Sequence, residues 1–148
     1  MLTQGICLLL LSYLSHCLFR MNLFSGNKTE CVQHNTIDDD SRYYNYYQSY
    51  GNDKCDQHLQ EGWYRFVTHK LMNTNCGYSD NYCNTDHPGW LNGNHPSVEE
   101  GVVTRTVCFN SGSCSCNYGT DIKVLNCGSF YVYKLKPTPT CNLRYCTQ

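Results

Sequence analysis

Twelve cysteines among 148 residues constrain this chain more than any other feature. Cys7 and Cys17 lie in an apolar N-terminal stretch that reads as removable. The other ten are Cys31, Cys55, Cys76, Cys83, Cys108, Cys114, Cys116, Cys127, Cys141 and Cys146. That even set predicts five disulfides, an oxidising compartment and a cross-linked fold. Leu, Ile and Val are modest in number, so burial alone would hold such a domain weakly. Crosslinks of roughly 2–4 kcal/mol each supply the difference.

The N-terminus agrees with that compartment. Residues 6–14 read ICLLLLSYL, a nine-residue apolar run. It has the length of a signal-peptide core and falls far short of the roughly 20 residues of a membrane span. No Lys or Arg precedes it, but Ser15-His16-Cys17 offers small residues before a cut after Cys17. The expected organisation is a signal peptide over 1–17, a polar segment over 18–30 and one cysteine-rich domain over 31–148. The alternative, an apolar helix retained in the fold, would bring two more thiols needing partners. No later segment is apolar enough to cross a bilayer, and the polar C-terminus shows no lipid-anchor signal. The expected product is soluble and extracellular.

Charge is nearly balanced, 11 Lys+Arg against 12 Asp+Glu, with no basic block. Nucleic acid and anionic membranes are therefore not expected partners. The acidic run Asp38-Asp39-Asp40 is too short for a polyanionic tail. Asn27-Lys28-Thr29 is an N-glycosylation acceptor. Asn81-Tyr82-Cys83 is the rare cysteine-type acceptor and is discounted, because Cys83 is expected to be paired.

Residues 35–54 fit neither a period of 2 nor of 3.6 and read as loop with at most one short helical turn. Their tyrosine run, Tyr43-Tyr44-Asn45-Tyr46-Tyr47, suits packing over disulfides, or an adhesive recognition patch. Strand formers concentrate at Trp63–Val67, Val102–Phe109, Ile122–Cys127 and Phe130–Leu135. Within Val102–Phe109, Val103, Arg105, Val107 and Phe109 would share one face, with Thr104, Thr106 and Cys108 on the other. Gly128-Ser129 reads as a two-residue hairpin turn. Pro137 and Pro139 end the last of these strands, since proline donates nothing to a ladder. The fold class expected is α+β: a small, β-rich, disulfide-stapled single domain with long loops.

Chemistry-bearing motifs are sparse. Cys114-Ser115-Cys116 has the form of a redox or metal motif, but in this chain it reads as two half-cystines with different partners. His87 and His95 could ligate zinc with Asp86. Each histidine abuts a proline, however, and the spacing suits no helical ligand pair. No nucleophile elbow, phosphate loop or calcium loop is present, so no enzyme activity, metal or cofactor is expected.

Six strings, taken in order, carry a resemblance: CDQHLQEGWYRF from Cys55, HPGWLNGNHP from His87, EGVVTRTVC to Cys108, IKVLNC, FYVYKL, and the ending CNLRYC. With Cys31, the Thr36-Ile37-Asp38-Asp39 opening and Arg42, they resemble the uromodulin-type eight-cysteine domain of extracellular zona-pellucida-domain proteins. The match runs from about Cys31 to Cys146. The resemblance implies a secreted, non-enzymatic binding or structural module with an extracellular protein or glycan partner. In mucosal members the domain can present a high-mannose glycan as a decoy for bacterial adhesins. That glycan sits on an Asn-Gly-Thr acceptor, which here reads Asn92-Gly93-Asn94, so Asn92 is expected to be bare. The family's adjacent cysteines become Cys114 and Cys116, and Gly128-Ser129 replaces a Gly-Gly. The polymerising zona-pellucida region is absent from this sequence.

Two alternatives remain: a carbohydrate-linked defence protein and, less favoured, a secreted enzyme on the same scaffold. The defence protein would act through an Asn27 glycan or through a recognition loop at 86–96 carrying His87, Trp90, Asn92 and His95. Trp63 and Trp90 are each expected to pack over a disulfide; Trp90 as a sugar-stacking platform is the rival.

Overall fold

A computed structural model describes residues 28–46, 54–73, 82–109, 116 and 118–148. The expected signal peptide, Asn27, Tyr47, Asn81, Cys76 and Cys114 lie outside the described residues. One helical turn, α1 (Thr29–Val32), precedes β1 (Asn35–Ile37) and a 3-10 turn (Asp40–Arg42). Then come β2 (Gly62–Phe66), β3 (His87–Asn92), β4 (Val102–Phe109), β5 (Tyr118–Asn126), β6 (Tyr131–Leu135) and β7 (Leu143–Tyr145). They form one seven-stranded sheet in the order β1-β2-β6-β5-β4-β3-β7. The inner pairings are antiparallel; β1 on β2 and β7 on β3 are parallel. The domain is thus the small, β-rich, disulfide-stapled fold expected, with very little helix.

The sheet curls. Four strands separate β2 from β7 in the order, which would be about 24 Å in a flat sheet. Yet the chain leaving β2 meets the chain leaving β7. Lys70 and Gln148 exchange backbone hydrogen bonds at 3.3 and 2.9 Å, and Met72 N–H donates to Cys146 O at 2.8 Å. The face enclosed by the curl carries the main core, including Phe66, Leu91, Val107, Val124, Tyr133 and Tyr145. The alternation expected along β4 holds: Val107 and Phe109 enter this core, with Val103 packed against it. Cys108 points the other way, into a second cluster with Trp90, Met72, Cys83 and Cys146.

β5 starts at Tyr118, four residues before the expected strand, because its first half is an exposed partner for β4 and lacks apolar alternation. The hairpin turn is as the sequence implied: Cys127 N–H donates to Phe130 O at 2.9 Å, and Gly128 has φ +92°. A positive φ at the first central residue alone matches a II′ turn, which favours glycine there.

Three strands carry no clear signal in the sequence. β1 and β7 are three residues each, too short to show a period. β3 is obscured by Pro88 and Gly89. Pro88 is tolerated because the ladder to β7 uses its neighbours: His87 N–H donates to Asn142 O, and Gly89 O accepts from Cys146 N–H. Gly89 is required by close packing: a Cβ there would lie 2.5 Å from Phe109 and 2.7 Å from the Arg144 carbonyl.

Candidate binding surface

Two arginines at the β3–β7 side of the sheet are paired with carboxylates. The Arg42 guanidinium grips Asp56 with two parallel bonds of 2.7 Å and donates to Tyr145 O at 3.0 Å. Asp56 also accepts from Tyr145 N–H at 2.8 Å. Arg144, 1% exposed, donates to Asp39, to Ser41 Oγ and O, and to Cys83 O. Asp39 in turn caps the 3-10 turn through Ser41 N–H at 3.2 Å. Burial alone would raise the Asp39 carboxyl, but the Ser41 hydrogen bond and the Arg144 and Arg42 charges together hold it below its ordinary value. Burial first, then the neighbouring Arg42 charge, takes Arg144 down to about 10 against the pull of Asp39 and Asp56. The Thr36–Asp39 opening with Arg42, and the strings opening at Cys55 and at Cys141, therefore meet in one buried ionic network. Sequence reasoning missed it; the one available signal was that Asp39, Arg42, Asp56 and Arg144 all sit within or beside those strings.

Four disulfides tie the described residues: Cys31–Cys127, Cys55–Cys141, Cys83–Cys146 and Cys108–Cys116. Cys116 pairs with Cys108 across the start of the β4–β5 hairpin, while Cys83–Cys146 lies in the second cluster with Trp90. Tyr44 packs against that cluster.

The four residues named as a recognition loop occupy separate environments. His87 opens β3 and tilts against Tyr118 at 6.0 Å. Trp90 lies on the opposite face of β3 from Leu91, only 4% exposed, among the half-cystines Cys83, Cys108 and Cys146. Such burial removes it as a surface stacking platform. Asn92 is exposed at the end of β3, before Gly93 at φ +116°. His95 turns inward: its Nε2 is 2.9 Å from the Tyr133 hydroxyl, and its ring lies 4.5 Å from that of Tyr131. Burial, helped by the Lys70 charge, lowers its pKa to about 4, so it is neutral at pH 7. Trp63, in contrast to Trp90, is half-buried in β2 opposite Lys134 and belongs to neither buried cluster. Among the described residues, no three His, Cys, Asp or Glu side chains gather as a metal site would require.

A groove of about 350 Å³ opens at the β2–β6 side, between residues 65–70 and the 128–131 turn. Arg65, His69 and Lys70 line it, with Ser129, Phe130 and Tyr131 opposite. The Arg65 guanidinium lies over the Phe130 ring at 4.1 Å, a cation–π arrangement that fixes the side chain. The His69 ring is held by Tyr43 at 4.6 Å.

Comparison with known proteins is in keeping with this architecture. A family model described as a uromodulin-like domain matches residues 64–147. The chain is 38% identical over 124 residues to the pancreatic secretory granule membrane major glycoprotein GP2 of Rattus norvegicus, covering 79% of this chain and 22% of that protein. The Homo sapiens protein of the same name is 44% identical over 103 residues, 67% of this chain and 19% of its own length. Uromodulin of Mus musculus is 46% identical over 96 residues, 63% of this chain and 15% of uromodulin. The chain thus spans about a fifth of the length of the curated relatives it matches.

Proposed function

Because the chain belongs to the uromodulin-like cysteine-rich domain family, whose domains are extracellular, non-enzymatic and disulfide-stabilised, we propose that it is secreted and works as a rigid binding module. The observation that carries this reading is a contrast within the sheet. One side is locked by buried ion pairs, and the other holds an open groove with cationic walls. Secretion rests on a signal peptide over residues 1–17. A fifth disulfide would join Cys76 to Cys114, the two of the ten cysteines outside the four pairs described.

A second reading is favoured by one feature. The Asn27 acceptor immediately precedes Lys28, whose Nζ donates to Val98 O at 3.0 Å and Asn126 O at 3.2 Å. A glycan on Asn27 would be presented from an anchored stem rather than a free tail.

Pull-down of extracellular fluid proteins on the immobilised mature chain, before and after enzymatic glycan release, separates the two. Retention unchanged by glycan removal supports the protein-borne module. Retention lost with the glycan supports presentation from Asn27. If neither form retains a specific partner, the binding reading is overturned. Non-reducing mass spectrometry checks the fifth bridge: a free thiol at Cys76 or Cys114 contradicts it.

A further inference from the structure

We propose that the β2–β6 groove binds a carboxylate-bearing saccharide, with Arg65 and Lys70 holding the carboxylate. This rests on the reading of the chain as a binding module and names the chemistry its open side would select. Five ion pairs are present among the described residues, and neither Arg65 nor Lys70 takes part in any of them. No Asp or Glu side chain lines the groove. The Arg65 guanidinium is nevertheless fixed in place by the Phe130 ring.

A guanidinium pinned on an aromatic face, with a lysine in the same groove and no Asp or Glu side chain in its lining, leaves cationic donors open to an incoming anion. The planar fork of arginine matches a carboxylate in geometry as well as charge, and lysine adds a mobile point charge. Size narrows the class. A groove of about 350 Å³ sits at the small end of small-molecule sites, which run from about 300 to 1,000 Å³. It suits one or two sugar rings rather than a folded partner. Beside the cations, Ser129 and His69 are residue types that offer hydrogen-bonding partners for sugar hydroxyls. These groups belong to the polar lining expected of a saccharide site.

The test is a titration of the whole chain at low ionic strength, read by NMR shifts. The probes are N-acetylneuraminic acid, its methyl ester, inorganic sulfate and an acidic tetrapeptide. Saturable binding of the free acid is expected, weakened about tenfold or more in the ester, which loses the charge-assisted bonds. Arg65→Met should weaken the acid by a similar factor. Lys70→Met, at an exposed position, should weaken it by a smaller one and tests the proposal even if Arg65→Met folds poorly. Equal binding of acid and ester, sulfate binding as tightly as the sugar, preference for the tetrapeptide, or no change in either variant would each overturn the proposal. Failure here while pull-down still retains a partner would sink the groove assignment and leave the binding module standing.

Discussion

Arg42 and Arg65 are the same residue type put to opposite uses. Arg42 is 8% exposed, is gripped by Asp56 through two bonds, and has a third acceptor in Tyr145 O. Arg65 is half-buried on an aromatic ring and meets no carboxylate among the described residues. The first arrangement compensates a buried charge, so the region is structural. The second leaves a guanidinium without a counter-ion on a surface that solvent and ligands reach. The comparison teaches where a stapled domain has room for function: on the side whose arginine its own fold has not paired with a carboxylate.

Substituting each arginine by methionine is the most direct way to break that contrast. Arg42→Met would leave Asp56 buried and unpaired, and Asp56→Ala would do the same to Arg42. Each should cost about 3–5 kcal/mol, the penalty for orphaning one member of a buried pair. Replacing both, Arg42→Met with Asp56→Leu, should recover much of the loss. Denaturant unfolding of the three variants checks this, and additive losses in the double variant would refute the coupling.

The disulfides extend the same comparison with a somewhat smaller effect. Cys83–Cys146 spans 63 residues and Cys108–Cys116 spans 8. Loop closure alone assigns them about 4 and about 2.5 kcal/mol. Removing the first as a Cys→Ala pair should therefore lower the midpoint more than removing the second, although both border Trp90. Equal losses would mean that packing around Trp90, rather than chain entropy, sets the contribution of these bridges.

How much of this was legible depended on range. Val102–Phe109 and the Gly128-Ser129 turn were readable because alternation and turn chemistry are local signals. β3 was hidden by Pro88 and Gly89, residues that normally break strands. Here they are accommodated by the ladder bonds of their neighbours and by the close approach of Phe109. The ionic network was invisible for a different reason. Its pairs join residues 14 and 105 positions apart, and an isolated Arg or Asp in a sequence reads as solvated surface. Trp63 and Trp90 looked alike in composition, and only the sheet's two-sided burial at β3 separates them. The groove left no local signal at all, since it forms where two distant turns meet.

Acid should distinguish the two sides through different groups. The folded pKa of His95 is about 4, below its ordinary 6.5. Between those values the unfolded chain takes up a proton that the folded one refuses. Stability therefore falls as pH drops from 6.5 and stops falling from this cause near 4. Asp39, lowered from 3.8, gives stability that is complete above that value and lost only as pH falls below it. A plot of melting temperature against pH should show the His95 limb first. His95→Asn should flatten that limb while leaving the more acid loss intact. An unchanged limb in the variant would assign it to another histidine.

The smallest effect is expected from Arg65→Met, and its smallness is the informative part. The substitution removes a cation–π contact worth about 0.5–1 kcal/mol at an exposed site. It also removes a buried Nε with no acceptor, whose deletion relieves a desolvation cost that opposes this loss. The methionine side chain can still cover Phe130. The two changes offset, so stability should move by less than about 1 kcal/mol in either direction, against several for Arg42→Met. Denaturant midpoints measured side by side, with equal slopes, make the comparison quantitative. A loss at Arg65 matching that at Arg42 would show the groove arginine to be as structural as the network one. Its guanidinium would then be part of the scaffold, and the division of the sheet into a locked side and an available side would fail.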